Sequence, residues 1–140
     1  MSFEQKSFSI SGFIGIVFGL LFAIINDSIL ELFNTLGFNI TIFATIFCSS
    51  LVMGFVGLKL KNYRRIIMLV LGTLLAILSA ILQSAYLNFF GVFSDKNYGL
   101  WDKLEGSIAF GFMGIVFLSY IIFPTAIIMT LLIEKFSRRQ

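Results

Sequence analysis

The chain has 140 residues, 59% of them hydrophobic and only 12% charged, with a mean hydropathy of +1.01. A soluble domain of this size carries roughly twice that share of charge, so the composition excludes a water-exposed globule and points to lipid as the solvent. The net charge of +3 is no sign of nucleic acid, because the cations flank apolar runs, as they do at a membrane surface.

A short polar lead carries Glu4 and Lys6, and residues 8–25 form the first apolar run. The run is longer than the apolar stretch of a signal peptide and no small-x-small cleavage site follows it, so it is expected to be a retained first span. Ser11, Gly15, Gly19 and Ala23 recur at every fourth position, with Gly12 beside them. At helical pitch they form a narrow groove where a second backbone can come close, which is a main source of helix association in lipid. The groove is expected to receive either the protein's own helices or a partner's.

Residues 26–39 read as an outer loop with Asp27, Glu31 and no cation. Ile29, Leu30, Leu32, Phe33 and Leu36 give it the pattern of a short helix lying in the interface. The second span is expected over 40–58, with Cys48, Ser49 and Ser50 at its centre and Gly54 and Gly57 near its inner end. Lys59, Lys61, Arg64 and Arg65 follow within seven residues and without an acid, the strongest charge cluster in the chain. So short a turn makes the second and third spans antiparallel neighbours. Its cations set orientation in the membrane or hold anionic headgroups.

The third span is expected over 66–90, a second outer loop with Tyr98 and Trp101 over 91–106, and the fourth span over 107–133. Gly111 and Gly114 open that last span. Pro124 lies in its inner half, where it has no N–H for the carbonyl of Tyr120 and a kink is expected. Lys135, Arg138 and Arg139 close the chain. Lys6, Lys59, Lys61, Arg64, Arg65, Lys135, Arg138 and Arg139 then lie on one side, against Lys96 and Lys103 on the other. By the positive-inside rule both termini are cytoplasmic. The form Gly-Phe-x-Gly occurs at Gly12, Gly54 and Gly111, and the copies in the first two spans fall at similar depth. Those two helices are expected to pack closely there.

The predicted spans contain no Asp, Glu, Lys, Arg or His. That argues against ion-coupled transport through a buried charge, an intramembrane protease and a metal enzyme. Cys48 has no histidine to activate it and reads as an inert packing residue. No catalytic residue, cofactor or metal is predicted. Of the remaining polar groups, Ser49, Ser50, Ser79, Ser119 and Tyr120 fall near the midplane, with Gln83 a turn further out. They read either as a shallow polar cavity gated at Pro124, or as hydroxyls bonded to their own helices together with side chains that bridge helices.

The sequence thus predicts an all-α integral membrane protein, a single domain of four transmembrane helices in a bundle with both termini cytoplasmic. Short loops and abundant Ile, Phe and Asn read as those of a bacterial plasma-membrane protein. Its expected partners are the lipid bilayer and either another membrane protein or a second copy. The expected activity is non-enzymatic binding of a membrane protein or lipid, as in accessory subunits and bacteriocin-immunity proteins. The alternative is a homo-oligomeric channel or transporter for a neutral or apolar solute.

Overall fold

A computed structural model describes residues 3–29, 36–59, 64–91 and 97–138. They form α1 (Phe3–Ile29), α2 (Leu36–Lys59), α3 (Arg64–Phe89) and α4 (Leu100–Arg138). No strand occurs among the described residues. Each helix contains a stretch long and apolar enough to cross a membrane, and at most 22% of any such stretch is buried inside the protein. Apolar side chains therefore cover the outward faces as well as the seams.

The helices are longer than the apolar runs predict, because an α-helix satisfies its own backbone wherever its ends can be capped. The extension is largest in α4, which has 39 residues. At its start the carboxylate of Asp102 accepts from the Gly99 N–H at 3.1 Å, and the Lys103 N–H returns to the Gly99 carbonyl, also at 3.1 Å. This is the backward half of a capping box, with an acid placed favourably in the first turn. The second half of the predicted outer loop is consequently helical. At the other end α4 continues to Arg138 through the predicted tail, and it runs on through Pro124 as one helix. α3 closes where the Gly91 N–H reaches back to the carbonyls of Tyr86 and Leu87.

The contacts set an antiparallel register throughout. On α1 and α2, Gly12 lies opposite Leu51, Gly19 opposite Phe43 and Asn26 opposite Asn39. On α2 and α3, Ser49 is level with Ser79 and Phe38 with Tyr86. On α3 and α4, Gly72 is level with Thr130, Ile81 with Gly111 and Asn88 with Ser107. By composition alone the membrane-length stretch of α4 is Ser119–Phe136. The seam with α3 instead aligns residues 107–130, and contacts, unlike composition, fix depth relative to the neighbours. The alternation brings the start of α1, the end of α2, the start of α3 and the end of α4 to one end of the molecule, here the basic end.

The seams α1–α2 and α3–α4 are the most extensive, α2–α3 is smaller, and α4 makes lesser contacts with α1 and α2. The core lies in the half nearer the basic end. Ile14, Met53, Met68, Met129 and Ile133 form it, backed by Ile10, Leu71, Leu75 and Leu132. Three of its five buried members are methionines, whose flexible side chains fill the irregular space where four helices meet.

Candidate functional site

The small-residue face of α1 packs on α2. A Cβ added at Gly15 meets the Ser50 Cβ at 2.9 Å and the Phe47 Cα at 3.2 Å, and one added at Gly19 meets the Phe43 ring at 2.8 Å. Phe43 and Phe47 stack on each other with centroids 5.9 Å apart, so the two glycines form the hollow that takes these rings. Ser11 is fully buried and lies against Gly54, Gly12 touches Leu51, and Ala23 is half-buried. Gly111 is pressed on the backbone of Ile81, whereas Gly114, three residues on, has nothing within 4 Å. Gly57, Lys59, Arg64 and Arg65 are described for their backbone alone, and Lys61 lies outside the described residues, as does the middle of the predicted interface helix.

The midplane polar groups do not converge on one cavity. Ser49 donates to the Thr45 carbonyl at 2.7 Å and, its proton so committed, accepts from Ser79 at 3.1 Å. Thr45 donates to the Ile42 carbonyl and accepts from the Gln83 amide at 3.1 Å. These two bridges form the α2–α3 seam. Ser50 faces the opposite way and donates to the Ser11 carbonyl on α1. Ser119 bonds back to Val116 on its own helix, and Tyr120 points outward, 72% exposed. Hydroxyls bonded within the helix and bridging side chains describe this arrangement, and a shared cavity among α2, α3 and α4 does not. Cys48 is corrected likewise: it is exposed on the outer face of α2 and packs into no seam.

Two polar contacts at the end opposite the basic one escaped the sequence reading. Asn26 donates to Asn39 at 2.7 Å between α1 and α2, and Asn88 donates to Ser107 at 3.2 Å between α3 and α4. The Oδ1 of Asn26 is buried without a hydrogen-bond partner among the described residues. Asn26 and Asn39 stand at the two edges of the predicted loop, and that mirror placement was the available signal. Glu134 was also missed. It lies one residue beyond the predicted fourth span and is only 4% exposed. The apolar run ends at Ile133, but the helix and its packing do not. No cluster of three metal-ligating side chains occurs among the described residues.

No family model, curated protein or solved structure matches this chain.

The polar bridges have a measurable weight. Ser50→Ala removes the hydroxyl bridge from α2 to the Ser11 carbonyl. Interhelical hydrogen bonds of this kind contribute about 0.6 kcal/mol on average in membrane proteins. The expected result is a small fall in melting temperature in detergent, well below that of a glycine substitution in the same seam. A loss as large as the glycine variant's would show that the hydroxyl, and not close backbone approach, holds α1 on α2.

Proposed function

We propose that the protein crosses the membrane four times with both termini in the cytoplasm of a bacterial cell. In this reading it acts without catalysis, by binding another membrane protein or lipid through its outward helix faces. The observation that supports this most is the division of its side chains. The hydroxyls and amides of the spans are mostly spent on their own helices or on the neighbouring helix, while the outward faces are predominantly apolar, with Tyr120 and Cys48 as exceptions. A surface of this kind offers recognition at membrane depth. The cations of the 59–65 turn and the C-terminal end of α4 favour the cytoplasmic side by the positive-inside rule. The channel reading has less support, because Ser49, Ser79 and Gln83 are turned to one another or to Thr45 and line no common path.

The test is purification of the tagged protein from its native membrane in mild detergent, followed by native mass spectrometry. A second protein in fixed stoichiometry, or a retained lipid of one class, is the expected outcome. Solute flux through vesicles containing only this protein would overturn the reading in favour of a channel.

A further inference from the structure

The outward face of α4 differs from the other exposed faces in carrying an unmatched polar pair. Phe110, Met113, Phe117, Tyr120, Pro124, Ile128 and Leu131 follow one another at three- and four-residue steps, all exposed. Tyr120 is 72% exposed, and its hydroxyl makes no hydrogen bond among the described residues. It stands thirteen residues from both Ser107 and Ile133. The seam pairs Gly111 with Ile81 and Thr130 with Gly72, so Tyr120 is level with the middle of the Ile66–Phe89 stretch of α3, about 15 Å from either edge of the hydrocarbon and beyond the reach of a phenol to headgroup or water. Lipid tails offer it no acceptor. The same turn of helix holds an acceptor short of a donor, because Pro124 has no N–H to give the Tyr120 carbonyl. Ser119 and Thr125 donate to Val116 and Ile121 and leave that carbonyl alone. Gly114, on the edge of the stripe, leaves open space where a facing helix can approach.

A donor and an acceptor on one exposed apolar face are complementary to the same face on a second copy. Two copies inserted in the same orientation are related by a two-fold axis along the membrane normal, and such an interface is self-complementary. We propose that α4 forms a symmetric dimer in the membrane, in which the Tyr120 hydroxyl of each copy donates to the Tyr120 carbonyl of the other. The proposal rests on reading α4 as a membrane span. It goes beyond the proposed function in naming the partner as a second copy of this chain.

The experiment uses the purified full-length protein in phosphatidylcholine vesicles, where no second protein is present. Copies in a Cys48→Ser background carry fluorophores at Ser2→Cys, and energy transfer is followed as lipid is added. The expected result is transfer that falls with dilution as for a dimer. Tyr120→Phe should need about tenfold more protein per lipid for half-association, the fold-change of the two interhelical hydrogen bonds that the symmetric dimer loses. Pro124→Ala, which returns an N–H to the carbonyl, should shift it the same way. Phe117→Cys should crosslink between copies, and Val17→Cys on α1 should not. Monomers at every dilution, an unchanged midpoint in Tyr120→Phe, or crosslinking through Val17 alone would overturn the dimer. Resistance of the vesicle-bound protein to alkaline extraction tests the spanning reading separately, so the two can fail independently.

Discussion

Gly15→Leu is expected to lower the melting temperature in detergent sharply, because this glycine is among the most tightly limited sites of the α1–α2 seam. Even the first added carbon lies 2.9 Å from the Ser50 Cβ and 3.2 Å from the Phe47 backbone, and backbone cannot turn aside as a side-chain tip can. The remaining atoms of a leucine must then displace the stacked Phe43 and Phe47 rings or push the helices apart. Overpacking a tight contact costs about 1–3 kcal/mol, and a backbone-limited site belongs at the upper end. Gly12→Ala is the matched control, because its new carbon meets Leu51 at an ordinary 3.5 Å. Thermal unfolding followed by size-exclusion chromatography after heating reads both. An unchanged Gly15→Leu melt would mean that α1 and α2 do not approach this closely.

A second large effect is expected at Gly111, with a sharp contrast three residues away. A Cβ at Gly111 meets the Ile81 Cγ1 at 2.8 Å and the Ile81 Cα at 2.9 Å, so Gly111→Leu forces α3 and α4 apart at about the same cost of 1–3 kcal/mol. Gly114→Leu meets nothing within 4 Å and should leave the melting temperature of the monomer in detergent unchanged, or raise it slightly, since leucine favours helix over glycine. The two substitutions add the same atoms to the same helix. Equal losses at both sites would show that α4 is rotated about its axis from the orientation described here.

This contrast marks what the sequence makes legible. Helix number among the described residues, and the approximate place of each apolar run, follow from hydropathy because a helix surrounded by apolar side chains needs length above all. The groove of α1 is legible too, since Gly15 and Gly19 at four-residue spacing leave a hollow whatever fills it. Its partner is legible at the inner end alone, where the Gly-Phe-x-Gly copies at Gly12 and Gly54 predict close packing of the first two helices and Gly54 lies against Ser11; further out, α2 presents apolar residues in every direction and no stripe announces which face turns to α1. Gly111 and Gly114 share one Gly-Phe-x-Gly motif, yet one is pressed on a backbone and the other is open. Only the rotation of α4 on α3 decides between them, and rotation is a property of the assembled seams. The same holds for Ser50 and Ser49, adjacent in sequence and bonded in opposite directions. Glu134 and the first turns of α4 were hidden for a different reason: hydropathy marks where apolar residues end, and the helix continues past that point on capping and packing.

The direction of the hydroxyl bonds bears on how the chain is made. Synthesis delivers the N-terminal part first, so α1 and α2 can close their extensive seam before α3 leaves the ribosome. During that interval Ser49 and Thr45 have no neighbour from the second half. Each already has its proton on a carbonyl of its own helix, Thr45 for one and Ile42 for the other. What waits for the later hairpin is a lone pair on each oxygen, a far smaller demand in an apolar surrounding than an unplaced proton. The nascent first half is thereby tolerable on its own, and its acceptors mark where Ser79 and Gln83 are to dock.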